Sequence, residues 1–132
     1  MDRKINLNSL LSSLWVFILL NMLFRDMHQF ANKGFIQELM TVDVSEELLL
    51  MAGIILEIPI LMVVLSQFLK PKLNKWINLI AVAITVLTMA AMMETPDMDD
   101  IFFMCMEFTA FVAIAVIAWK LPAADNHALT QL

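Results

Sequence analysis

Glu57 sits inside LLLMAGIILEIPILMVVLSQFL, residues 48–69, with Pro59 two positions on, and Glu107 sits inside IFFMCMEFTAFVAIAVIAW, residues 101–119. An acid flanked on both sides by apolar sequence has restricted chemistry: it pairs with a cation or hydrogen-bond donor, or it takes up and releases a proton. A third apolar run offers partners, because Asn21, Arg25 and His28 follow one another at i, i+4 and i+7 and so share a helix face. Measured from the expected helix ends at about 1.5 Å per residue, Arg25 (about 8 Å) lies level with Glu107 (about 9 Å), and Asn21 lies level with Glu57, both about 14 Å deep. These depths predict an Arg25–Glu107 ion pair near the rim, with Glu57 deeper, facing inward and hydrogen-bonded by Asn21. Pro59 is expected to break the hydrogen-bond ladder, freeing the Ile55 carbonyl and loosening or kinking the helix around the acid, and Gly53, one turn from Glu57, to admit a close neighbour. The candidate ligand- or ion-binding residues are therefore Glu57, Asn21, Arg25, Glu107 and His28.

Four helices are needed to hold these groups. The 132 residues are 61% hydrophobic with a mean hydropathy of +0.83, more apolar surface than a soluble domain of this length can hide. Four runs, roughly residues 10–30, 48–69, 76–93 and 101–119, each approach the length that crosses about 30 Å of hydrocarbon. With only Gly34 and Gly53 as glycines and no alternating segments, a transmembrane barrel is excluded, leaving an all-α integral membrane four-helix bundle in one domain. Residues 121–132 read as a flexible tail. Ser45 suits the cap of the second span, ahead of Glu46 and Glu47, and Lys70-Pro71-Lys72 announces the third.

Basic residues gather before the first span (Arg3, Lys4), between the second and third (Lys70, Lys72, Lys75) and after the fourth (Lys120). That distribution predicts two cytoplasmic termini. The remaining loops carry Glu38, Asp43, Glu46, Glu47, Glu94, Asp97, Asp99 and Asp100, an acidic face that keeps the loops wet and could also draw cations to a cavity mouth. In the third span Asn78, Ala81, Thr85 and Thr88 share a face suited to close helix packing, within the chain or between copies.

Other chemistries find little support. The net charge of −5 and the lack of basic runs or phosphate-cradling glycine motifs speak against nucleic acid and nucleotides. Cys105 is the sole cysteine, so there is no intramolecular thiol relay. Twelve methionines, among them Met104 and Met106, raise soft-metal binding, but those two point 200° apart around a helix. His28 and His127 belong to opposite sides, and no nucleophile–base pair or metal triad can be assembled. No cofactor is expected, and the residues favour a non-enzyme while leaving the question of catalysis open.

The stretches LWVFILLNMLFRD, LEIPILMVVLSQFLK, NKWINLIAV and IFFMCMEF resemble an uncharacterised family of small bacterial four-helix membrane proteins, with Glu57-Ile58-Pro59, Asn21, Asp26 and Glu107 as the matching positions. The resemblance implies a bacterial cytoplasmic membrane and, more remotely, an architecture similar to DoxX-like membrane proteins. It implies no activity. From the residues, the expected function is binding or translocation of a proton, small cation or small polar solute through an outward-opening polar cavity centred on Glu57, in a homo-oligomer within the lipid bilayer. The alternatives are a membrane subunit holding a quinone or other lipid-soluble ligand between Trp15, Phe17, Phe103 and Phe111, with His28 or Glu57 as proton donor, and a structural accessory subunit of a larger complex.

Overall fold

The computed structural model describes residues 6–92 and 95–122. Arg3, Lys4, Met93, Glu94 and His127, with nearly all of the tail, lie outside the described residues. Among the described residues there are five helices: α1 (Leu7–Phe30), α2 (Phe35–Thr41), α3 (Glu46–Phe68), α4 (Pro71–Ala91) and α5 (Met98–Lys120). All but α2 are long and apolar enough to cross a membrane.

Local chemistry fixes most boundaries. Asn6 caps α1 by accepting from the Asn8 amide at 3.0 Å, and Ser45 caps α3 as expected, accepting from Leu48 at 3.3 Å. α4 begins at Pro71 rather than near Trp76, since a proline at the first helical position forfeits no hydrogen bond and has the right φ already. α5 starts three residues before Ile101, where Asp97 and Asp100 form a reciprocal capping box. The short α2, absent from the sequence reading, follows Gly34, whose φ of 96° is a left-handed conformation that glycine adopts at little cost. It buries no residue, which is why no periodic pattern announces it.

The four long helices form a ring in the order α1, α3, α4, α5, with α1 packed on α3 and α5 and α4 packed on the same two. Each inward face keeps a three-four spacing: Leu11, Trp15, Ile18 and Met22 in α1; Pro59, Met62 and Ser66 in α3; Asn74, Asn78, Ala81 and Thr85 in α4; Glu107, Ala110, Phe111, Ile114 and Ala118 in α5. Pro59 is buried in this core, and α3 continues through it without a break, so the expected interruption is a proline accommodated within one helix. Outside the core the surface is apolar: only 11–28% of each helix's most apolar window is buried, and Leu48, Leu49, Leu50, Met51 and Ile54 in succession are exposed. A contiguous apolar belt of this kind calls for lipid or for other protein.

At the end carrying the α3–α4 turn, the core is polar. Trp15 Nε1 donates to Asn78 Oδ1 at 2.7 Å, and the Ser66 hydroxyl reaches the same oxygen at 3.3 Å. Asn78 Nδ2 donates to the carbonyl and side-chain oxygens of Asn74 at 2.8 and 2.7 Å, while Asn74 Nδ2 reaches Asn8 Oδ1 and the Ser66 carbonyl. Ser12 donates to the Val63 carbonyl at 2.7 Å and accepts from Gln67. Asn78 is the hub, tying α1 and α3 to α4. Asn78→Ala removes the acceptor of two buried donors, so about 2 kcal/mol of stability should be lost. Thermal unfolding of purified protein in detergent checks this. A loss no larger than that of Thr88→Ala, whose hydroxyl bonds only its own helix, would deny Asn78 that position.

Candidate functional site

Arg25 continues the inward stripe of α1, three residues beyond Met22, and Glu107 opens the inward stripe of α5. The two meet as predicted: Arg25 Nη1 donates to Glu107 Oε2 at 3.0 Å, with the arginine side chain 20% exposed and the glutamate 0%. Because α5 starts at Met98, Glu107 lies about 14 Å along its helix, and the length of the arginine side chain closes the difference in level. Glu107 Oε1 is buried and has no hydrogen-bond partner. Asp26 lies within electrostatic reach of Arg25, Asp100 and Glu107. Asp100 Oδ2 accepts from the Asp97 amide at 3.2 Å, while its buried Oδ1 is also unpartnered. One guanidinium thus pairs with Glu107 and lies within electrostatic reach of Asp26, with Asp100 beside Asp26, at the end of the bundle opposite the asparagine network.

The other candidates go elsewhere. Glu57 is exposed on the outer surface of α3, and Asn21 donates to the Phe17 carbonyl of its own helix at 2.8 Å, so the expected Asn21–Glu57 bond is not made. The reason is angular. The buried face of α3 runs through Pro59, Met62 and Ser66, and Glu57, two residues before Pro59, points about 200° away from it. Gly53 has no neighbour at all where a Cβ would stand, so it makes no close contact within the chain. His28 is exposed, with its ring edge-on to Phe103 at 5.8 Å, on the flank of α1 rather than in its inward stripe.

Among the described residues Glu57 faces outward and lines no groove between the helices. Two grooves, one between α3 and α4 lined by Ile58, Met62, Ile77 and Ala81 among others, and one between α4 and α5 beside Trp119, are apolar and touch neither Glu57 nor Glu107. Nor do the four aromatics enclose a common pocket. Trp15 packs edge-on to Phe111 at 6.2 Å in the core, and Phe17, 200° around the helix from Trp15, is exposed. Among the described residues no three His, Cys, Asp or Glu side chains gather where they could hold a metal ion.

Sequence reasoning missed the asparagine network. Its signal was available: Asn74 stands four residues before Asn78 on the face that Ala81 and Thr85 continue, but starting the third span at Trp76 left Asn74 in a loop.

Residues 1–126 match the family model described as a family of unknown function (DUF6326). The chain belongs to that family, in keeping with the resemblance to an uncharacterised family. No curated protein and no solved structure matches.

Proposed function

We propose that this family member is a multi-pass membrane protein that binds a proton or a small cation at Glu107 and exchanges it with water at the Asp97 end of the bundle, as part of a translocation function. The observation that carries the reading is Glu107 Oε1: a wholly buried carboxyl oxygen without a partner, while its twin is engaged by Arg25. A buried carboxyl with one free oxygen is strongly driven to acquire a proton or a cation, and placing it inside a bilayer sharpens that drive. Arg25, partly exposed, stands between the site and water, and the acids Asp26, Asp97, Asp99 and Asp100 raise cation concentration at that end.

The distribution of lysine and arginine favours termini on the cytoplasmic side of a bacterial inner membrane, with the Glu107 end facing outward. Lys75, whose Nζ lies 3.9 Å from the Trp119 ring centroid, and the exposed Trp76 are groups suited to the opposite interface.

The test is proton or cation flux into liposomes holding the purified protein and a pH-sensitive dye. Dissipation of an imposed gradient is expected with the native chain and should fall at least about tenfold in Glu107→Gln, the size of one lost proton carrier. Glu57→Gln, whose side chain lies outside the bundle, should retain it. Flux that is absent from the native protein, or equal in Glu107→Gln, would sink the proposal.

A further inference from the structure

Glu57 is the middle residue of α3, eleven positions from Glu46 and eleven from Phe68, about 16 Å from either end. An acid exposed at that level of a candidate span cannot be left in hydrocarbon without a partner, and among the described residues it has no hydrogen bond or ion pair. Its surroundings are ordered in a particular way. Leu50, Gly53, Glu57, Ile60 and Val64 follow at spacings of three, four, three and four, and all five are exposed. Together they make a straight seam on the side of α3 opposite Pro59, Met62 and Ser66. This is the repeat by which two helices pack in a left-handed supercoil, with Gly53 open where a Cβ would stand and a single polar residue at one core position. The small-residue stripe of α4, by contrast, is consumed inside the chain, since Asn78, Ala81 and Thr85 are buried.

We infer that the α3 seam is the contact surface for a second copy of this chain, a two-fold dimer in which the two Glu57 side chains hydrogen-bond to each other across the axis, one donating its carboxylic proton to the other. Copies inserted in one orientation are related by an axis along the membrane normal, which sets identical residues opposite one another at the same depth. A second copy therefore brings to Glu57 the one polar group guaranteed to lie at its level. Gly53, one turn away, lets the two helices approach closely enough for the carboxyls to meet. The polar position also fixes register, because any slip along the seam leaves both acids in hydrocarbon. This inference rests on the membrane placement proposed above and is independent of the Glu107 site.

The test is disulfide cross-linking of full-length protein in liposomes. Cys105 is exposed and is first replaced by serine. In that background Ile60→Cys should cross-link between copies under mild oxidation, whereas Met51→Cys, exposed but at least about 100° around the helix from every seam residue, should not. Energy transfer between labelled copies then reads affinity: Glu57→Leu and Gly53→Ile should each weaken association about tenfold, and Glu57→Gln, which keeps a self-complementary hydrogen-bonding group, should stay within about threefold of native. Equal cross-linking on and off the seam, a monomer throughout, or association unchanged in Glu57→Leu would overturn the inference, as would a different membrane protein co-purifying at stoichiometry through this face. Protein that is not retained by the liposomes would overturn the membrane placement itself, an outcome distinct from inserted protein that fails to cross-link.

Discussion

Arg25→Ala should be the most damaging single change at the candidate site, costing about 3–5 kcal/mol, the scale of removing one partner from a buried ion pair. Glu107 is 0% exposed, and its second oxygen is already without a partner, so the substitution strands the whole carboxyl rather than half of it. The attraction lost is smaller than the cost of leaving the survivor unpaired, and this sets the expected pattern of a mutant cycle. Glu107→Gln leaves the guanidinium with partial access to water and Asp26 nearby, so it should cost less than Arg25→Ala. The double variant Arg25→Ala with Glu107→Gln should recover much of the loss and be more stable than Arg25→Ala alone. Thermal unfolding in detergent, read by circular dichroism, decides the matter. Strict additivity would mean that the pair seen at 3.0 Å is energetically idle.

Arg25 was legible in the sequence because its depth and its helix face can be counted from residue positions, whereas Glu107, counted at about 9 Å, lies about 14 Å along α5 and meets Arg25 only through the reach of the arginine side chain. Glu57 shows where counting fails. Its place near the middle of a long apolar helix could be counted, but the direction of a helix face depends on which of several apolar stripes meets the bundle, and α3 is apolar on nearly every side. With Leu, Ile, Met and Val all around, no amphipathic contrast marks the inward face. The choice is made by Pro59, Met62 and Ser66, whose packing against the neighbouring helices no local pattern reveals. The asparagine network was hidden for a different reason, since a third span begun at Trp76 left Asn74 in a loop, outside the face that Asn78 continues. The four long apolar segments, their helical type and the Ser45 cap, which depend on composition and on neighbours within four residues, could be read directly. The α2 turn of helix and the early starts of α4 and α5 could not, because they rest on one or two residues at a boundary rather than on a repeated pattern.

Trp15→Ala should be the most damaging change in the core, at about 3 kcal/mol or more. In lipid the usual hydrophobic term is weak, since a tryptophan released from the bundle enters surroundings nearly as apolar as those it left. What remains is shape and hydrogen bonding, and Trp15 is unusually rich in both. It is the largest fully buried side chain, it packs edge-on to Phe111 with the rings inclined at 70°, and it gives its indole proton to Asn78 at 2.7 Å. Alanine leaves a void that the rigid backbones of α1 and α5 cannot close, and it deprives the hub asparagine of one donor. Trp15→Phe separates the two contributions: it keeps much of the ring contact and loses the donor, so its cost should be about 1–2 kcal/mol, near that of one buried interhelical hydrogen bond with some loss of packing. Phe111→Ala made on top of Trp15→Ala should cost less than Phe111→Ala alone by about 1 kcal/mol, because the edge-to-face contact is already gone. Equal losses for Trp15→Phe and Trp15→Ala would assign the whole effect to the hydrogen bond. A loss below about 1 kcal/mol for Trp15→Ala would mean that shape-fitting at this corner does not hold the four helices together.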